Sequence, residues 1–352
     1  MTQGRHLAIL FGAGATRGAL QRQVPPPPLD QDFFDIAGQL TGRGTPRLAK
    51  RVTRDVFELY GRVTGVGLEY YFRDIEARAE IGTFAKSANK PKDWARRRTD
   101  LEQLIRRVVV QTTCDLSKTP AESFNSQIHG DILRHTSHGD TIITFNYDTV
   151  IEESWPQAAS VWSPRDGYGL IAGASTKGWA RTWRAGRAAT SKSKSEVQLL
   201  KLHGSVNWTL YPTRDVRLKE RPYVVKTRKG NPSSEKCEIL PPGWHKRIHV
   251  NPFRRLWRQA RLKLENCSSL AIVGYSLPET DVLARALFME ACRSRAVRGD
   301  YLRHLYIADP SQTVKDRFLA LFAPALGSMG RVYLYSGIEE LRREWQKRGP
   351  RR

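Results

Sequence analysis

From residue 253 onward the sequence alternates short apolar runs with longer segments of helical periodicity, and this alternation constrains the fold more than any other feature. A helix is predicted over residues 253–266, a strand over 270–273, a helix over 281–294 and a strand over 305–308. A helix over 311–322, a strand over 332–335 and a last helix to about 346 follow. Strands separated by helices cannot close as hairpins; each crossover returns the chain in the same direction, so the strands pair in parallel. A parallel sheet needs cover on both faces, and the expected class is α/β.

The N-terminal end adds the first strand of that sheet. His6 to Phe11 is an apolar run, followed at once by Gly12-Ala13-Gly14-Ala15-Thr16. Glycines at this place let the backbone turn tightly and approach a pyrophosphate, although the third glycine of the dinucleotide pattern is missing. The full expectation is a Rossmann-like parallel sheet with helices on both faces and a large helical insertion after the first strand. The insertion is predicted over about 30–138, from helical spacing in Val56-Phe57-x-x-Tyr60, in Tyr70-Tyr71-Phe72-x-x-Ile75 and through Leu101 to Val109, with a break at residues 87–91. Four prolines, Pro25 to Pro28, are expected to cross the mouth of the glycine turn as an extended loop, with Asp30 capping the next helix. Further strands are predicted over 141–145, 197–202 and 206–211, with loop-rich excursions over 163–195 and 212–252. Residues 1–346 are read as one domain and 347–352 as a basic tail.

The chain carries 58 Lys and Arg against 35 Asp and Glu, a formal charge of +23. Such a field attracts polyanions and speeds their encounter, with strong salt dependence. The clusters at Arg96-Arg97-Arg98, Arg106-Arg107, Arg254-Arg255, Arg342-Arg343 and Arg351-Arg352 read either as solvated helix faces or as contacts to nucleic acid, phosphate or an acidic partner. Cys114, Cys237, Cys267 and Cys292 stand far apart with no Cys-x-x-Cys pair, which argues against a zinc ribbon. His135-x-x-His138 and His245-x-x-x-His249 lack an acidic or cysteine neighbour in register, so no metal is expected. No apolar run approaches the roughly 18 residues of a membrane span. The first strand begins too early for a secretory signal, and a soluble cytoplasmic protein is expected.

Polar signatures fall at the ends of predicted strands, which a parallel sheet brings to one edge, where ligands of such folds bind. Asn146, after the second strand, carries a carboxamide that can donate and accept without adding charge. Asp148 two residues on reads as a helix cap or as an acceptor for a ligand amide. His203 closes the next strand; it is a packing residue or, with an ordinary pKa near 6.5, a base. Gly274-Tyr275-Ser276 offers a glycine and hydroxyls to a phosphate or ribose, and Asp309 stands where a ribose contact or a simple N-cap would.

Taken in order, Gly12-Ala13-Gly14-Ala15-Thr16, Thr144-Phe145-Asn146-Tyr147-Asp148, Lys201-Leu202-His203-Gly204-Ser205 and the Val273-Gly274-Tyr275-Ser276 segment running on to Asp281 resemble the sirtuin-like domains. More narrowly, they resemble the branch found in bacterial anti-phage defence. The resemblance implies that the turn of Gly12, Ala13, Gly14 and Thr16 binds the NAD+ pyrophosphate, and that Asn146 and His203 are catalytic. It further implies that Asp148 contacts nicotinamide and that Gly274, Tyr275 and Ser276 hold phosphate or ribose. The protein-deacylase branch carries a zinc module with two Cys-x-x-Cys pairs and reads Gln-Asn-Ile-Asp at its second motif. Here the module is missing and the motif is Phe145-Asn146-Tyr147-Asp148. The implied activity is hydrolysis of NAD+ to nicotinamide and ADP-ribose by a regulated defence effector. The alternatives are a module that senses NAD+ or ADP-ribose without cleaving it, and a deacylase or ADP-ribosyl transferase. Implied partners are further copies of the chain, or a separate translocase ATPase or Argonaute-like protein, with a nucleic-acid contact through the basic surface. The chain has no Walker-type phosphate loop of its own.

Overall fold

The computed structural model describes residues 6–42, 44–84, 91–117, 122–155, 158, 160–169, 195–210, 216–218, 239 and 253–352. Six strands form one parallel sheet: β1 (Leu7–Phe11), β2 (Thr141–Thr144), β3 (Gln198–Lys201), β4 (Ser269–Val273), β5 (Leu302–Ala308) and β6 (Leu326–Tyr335). Their order is β6-β5-β4-β1-β2-β3, so the chain builds outward from β1 on one side, returns, and builds outward on the other. The reversal lies between β1 and β4. The register aligns Phe11 with Thr144 and with Val273, Thr144 with Lys201, and Val273 with Ala308. The residues that follow each strand therefore emerge at one edge, around the reversal point where open α/β sheets bind ligands.

Helices cover both faces. Between β1 and β2 come α1 (Ala13–Ala19), α2 (Phe33–Gln39), α3 (Thr45–Tyr60), α4 (Leu68–Phe84), α5 (Pro91–Thr113) and α6 (Gln127–Leu133). After β2 come α7 (Val150–Ser154) and α8 (Pro164–Gly167), and then α9 (Phe253–Asn266), α10 (Val282–Arg298), α11 (Gln312–Phe322) and α12 (Ile338–Arg348). α1, α6 and α12 pack together, as do α9, α10 and α11. α9 shows how the pattern decides the face: Phe253, Leu256, Trp257, Ala260 and Leu264 are buried at helical spacing, while Arg254 and Arg255 stay exposed. β1 is buried along its whole length, as expected of a central strand.

The insertion, α2 to α5, builds a second hydrophobic core around Phe34, Val52, Tyr71, Phe72, Leu104 and Val108. That core also takes in Val206 and Ile239, with Tyr147 against it, all from the sheet's own loops. The helices expected from the spacing around Val56 and Tyr71 form as α3 and α4, although Phe57 and Tyr70 themselves are 58% and 48% exposed. Two expectations need revision here. Asp30 does not cap α2, whose N-cap is Asp32; its Oδ1 accepts from the Glu69 amide at 2.8 Å and so caps α4 across 39 residues. The basic end of the chain is folded down: Arg352 binds both oxygens of buried Asp140 at 2.9 and 2.6 Å, and Asp140 also accepts from the Leu7 amide. Of the predicted break at 87–91, Pro91 begins α5 and the rest lies outside the described residues, as do most of both excursions, Tyr211, Cys237, His245 and His249.

Candidate active site at the carboxyl edge of the sheet

The glycine turn forms because two backbones meet. Gly12 N–H donates to Val273 O at 3.0 Å and Gly14 N–H to Gly274 O at 2.9 Å. A Cβ on Gly12 would lie 2.5 Å from Gly274 O, and one on Gly274, whose φ is +60°, would lie 2.1 Å from Ala15 N. The expected cradle thus differs in detail: the amides of Gly12 and Gly14 are spent on packing against the end of β4. Ala13 is the exposed residue of the turn. The proline loop is tied to this region by Arg17, whose guanidinium donates to Pro27 O and pairs with Asp32.

Asn146 is held from two sides. Its amide N–H donates to Thr144 Oγ1 at 3.0 Å, and that hydroxyl donates to Phe11 O at 2.9 Å. Its side-chain Nδ2 donates to Gly12 O at 2.9 Å and to Thr16 Oγ1 at 3.0 Å. A carbonyl can only accept, so these bonds decide which end of the carboxamide is nitrogen. Thr16 Oγ1 in turn donates to Asp148 Oδ2 at 3.1 Å, while Asp148 Oδ1 accepts from the Val150 amide at 3.0 Å. Asp148 therefore does not stand at the N-cap of α7, which is Thr149; it takes the helix's first amide from one position earlier and is a fixed neighbour of Thr16. Asn146 and Asp148 are each 7% exposed.

Beneath them lies a buried ion pair that the run Lys201-Leu202-His203 does not announce. Lys201 is fully buried and donates to the Asp148 carbonyl and, at 2.9 Å, to Glu152 Oε1. Tyr168 OH donates to the same oxygen at 2.9 Å, and burial beside that carboxylate pushes the phenol well above its ordinary range. An interior ammonium is tolerable only with such partners, and here it anchors the turn carrying Asn146.

His203 leaves β3 through a turn in which Gly204 has φ +81°. Its ring lies edge-on to Phe145 at 4.9 Å and near-parallel to Tyr147 and Trp257 at 6.2 and 6.3 Å. Trp257 Nε1 donates to Leu202 O at 3.0 Å, and the Val206 amide donates to Tyr147 O at 3.0 Å, which joins the β2 and β3 turns. His203 Nε2 lies 3.6 Å from Asp281 Oδ2.

The remaining expected residues divide. Gly274 is at the reversal point, against Gly14. Tyr275 points inward: its ring stacks on Phe145 at 4.5 Å and its hydroxyl donates to Asp281 at 2.9 Å, so only its backbone borders the edge. Ser276 is exposed, with its carbonyl bound by Arg317. Asp309 follows β5, one strand further out, and its Oδ1 accepts from the Ser311 amide at 2.9 Å; burial raises its pKa.

Two further contacts escape sequence reading. Asp281, where the Gly274-Tyr275-Ser276 segment runs into α10, has no local signal for its contact with His203. His129 on α6 is fully buried, its ring 5.1 Å from Phe11 and its Nδ1 2.9 Å from Ser126 Oγ. Its Nε2 has no hydrogen-bond partner among the described residues, and burial pushes it down to about 4. The sign that could find it is Ser126, three residues ahead, whose hydroxyl caps α6 by accepting from the His129 amide.

The fold and this edge define a nucleotide-type α/β domain with an asparagine, an aspartate and a histidine converging beside a glycine turn. A family model for the SIR2-like domain matches residues 140–322, and the chain belongs to that family, one of NAD-binding and NAD-consuming domains. The chain is also similar to solved structures. One, from a study of the mechanism and regulation of Sir2 enzymes, is 12% identical, with 98% of this chain and 92% of that one covered and a TM-score of 0.40. A second, from work on sirtuin substrate affinity, is 14% identical over 98% and 95% of the two chains, with a TM-score of 0.40. A third, a Sir2 with a p53 peptide and NAD+, is 14% identical over 98% and 93%, with a TM-score of 0.36. No curated protein matches the sequence. Among the described residues, no helix is long and apolar enough to cross a membrane and no cluster of three or more His, Cys, Asp or Glu is placed to hold a metal.

Proposed function

We propose that the chain is an NAD+ glycohydrolase, releasing nicotinamide and ADP-ribose, with Asn146 and His203 as its catalytic residues. The observation that carries the reading is the orientation of Asn146. Both hydrogens of its carboxamide are committed to the β1–α1 turn, so Oδ1 is the atom left to accept from a water or a ribose hydroxyl. Ordinary glycosidases need a carboxylic acid to protonate a poor leaving group. Nicotinamide leaves NAD+ from a cationic nitrogen: the C1′–N bond breaks, its electron pair neutralises the ring, and no acid is required. Water adds at C1′ and its proton passes to a base, the role assigned to His203. The edge must otherwise shield an oxocarbenium ion, for which the Phe145, Tyr147 and Trp257 rings around His203 are suited. Gly12, Ala13, Gly14, Thr16, Asp148, Gly274, Tyr275, Ser276 and Asp309 are proposed to border the dinucleotide, Tyr275 through its backbone.

An unregulated enzyme of this type would exhaust its own cell, so the reading extends to a gated effector of anti-phage defence in the bacterial cytoplasm. The gate is proposed to be an assembly: further copies of the chain, a translocase ATPase or Argonaute-like partner, or nucleic acid on the basic surface. Arg47, Lys50, Arg51 and Arg54 along the exposed side of α3 are part of that surface. Residues 1–346 would act as one sirtuin-like domain.

The test is nicotinamide release from NAD+ by the purified chain, alone and after addition of oligonucleotides or host-cell extract. Wild type should turn over, and Asn146→Ala should lose at least about 100-fold in kcat. Equal turnover by the variant would remove the assignment, and tight NAD+ binding with no cleavage under any condition would favour the sensing module.

A further inference from the structure

Asp281 begins α10, and as an N-cap it needs only one oxygen. Oδ1 does that, accepting from the Ala284 amide at 3.3 Å. The second oxygen faces two ring-borne groups: it accepts from Tyr275 OH at 2.9 Å and stands 3.6 Å from His203 Nε2. The residue is 1% exposed. A carboxylate taken that far out of water is costly unless charged or hydrogen-bonding partners compensate, and an imidazole hydrogen 3.6 Å away is placed to become one. In unliganded sites catalytic contacts are often this long and tighten on occupation.

We propose that Asp281 is the positioning residue of His203, keeping the imidazole proton on Nε2 so that Nδ1 carries the basic lone pair. This rests on His203 being the base of the proposed hydrolysis. As water attacks, its O–H bond breaks and the proton goes to Nδ1, giving an imidazolium that the Asp281 charge stabilises; the carboxylate itself takes no proton. Tyr275 is the third member, sharing Oδ2 and fixing where it points. Among the described residues, Phe145, Tyr147 from the β2 turn and Trp257 from α9 lie against His203, and Phe288 and Phe318 lie against Tyr275. Glu69 from α4 and Arg285 on α10 act on Tyr275 with opposite sign, the carboxylate raising its pKa and the guanidinium lowering it. Asp281 is thus the carboxylate held against the histidine.

The variant Asp281→Asn tests this, because asparagine caps helices as well as aspartate and nearly the same volume is retained. Histidine ring nitrogens are followed by NMR as pH is varied, with the His203 signals assigned by their loss in His203→Gln. In wild type, Nε2–H should be the dominant neutral tautomer. In Asp281→Asn the tautomers should mix and the His203 titration should fall by at least about one pH unit. Tyr275→Phe, which removes the competing donor and keeps the ring, should move it the other way and guards against a poorly folded Asp281→Asn. Where NAD+ is cleaved, Asp281→Asn should lower kcat about 10- to 100-fold with KM little changed, and the acid limb of the rate profile should follow the histidine. Unchanged tautomer and titration in both variants would overturn the proposal even if activity were lost. A wild type that never cleaves NAD+ would sink the hydrolase reading, whereas the tautomer and titration shifts would still decide whether Asp281 orients His203.

Discussion

Acid should destabilise this protein through a buried histidine whose share can be isolated. His129 is fully buried, desolvation pushes it from 6.5 down to about 4, and the nearby Asp148 charge opposes that only in part. The folded state therefore binds a proton less readily than the unfolded chain. Its contribution is fully present above pH 6.5 and is lost as pH falls toward about 4. At about 1.4 kcal/mol per pH unit, the window is worth roughly 3 kcal/mol, of which about 2 kcal/mol should be gone by pH 5. His129→Gln, neutral at every pH and able to bond Ser126, isolates the effect. Urea unfolding of both proteins, followed by tryptophan fluorescence in steps from pH 7 to 5, gives the stability difference. Contributions from the other titrating groups, including the likewise depressed His135 and His304, cancel between the two proteins. The wild-type advantage should shrink by about 2 kcal/mol over that range. A difference that stays flat, or grows on acidification, would refute the reasoning.

Two further outcomes follow from the packing. Gly274→Ala should lower stability by about 2–4 kcal/mol in thermal or urea unfolding, since its Cβ would lie 2.1 Å from Ala15 N at a φ of +60°. Lys201→Met should cost about 3–5 kcal/mol by leaving Glu152 charged and buried, and Lys201→Met with Glu152→Gln should recover a good part of it. A single substitution costing under about 1 kcal/mol would mean the pair is not held as described.

The order of strands and helices was legible because burial leaves a period: the helix at Phe253–Asn266 matches the predicted bounds, and β4 differs by one residue. The convergence of Gly12, Asn146, His203 and Gly274 was legible too, since parallel strands must deliver their ends to one edge. What stayed hidden depends on pairs remote in sequence. Asp30 carries a cap signal that fits its own neighbourhood, and only the packing of α4 claims it instead. The inward turn of the Tyr275 side chain follows from a stack on Phe145, 130 positions earlier, which no local pattern encodes. The reading of 347–352 as a tail followed its charge, which is met by Asp140 at the far end of the sheet. Arg295 is similar: a guanidinium on an ordinary helix, fully buried to donate to the Leu264 and Cys267 carbonyls where α9 ends.

The second hydrophobic core has a consequence for how the molecule comes apart. Tyr147 and Val206 sit one and three positions from Asn146 and His203, and both pack on the core of the inserted helices. The two cores therefore share a wall, and the helices cannot detach without exposing the loops that carry Asn146 and His203. Heat or denaturant should erase the proposed NAD+ binding and α2–α5 in the same cooperative step, even where β1, β4 and β5 persist longer. The insertion is in this sense the floor on which the polar edge stands.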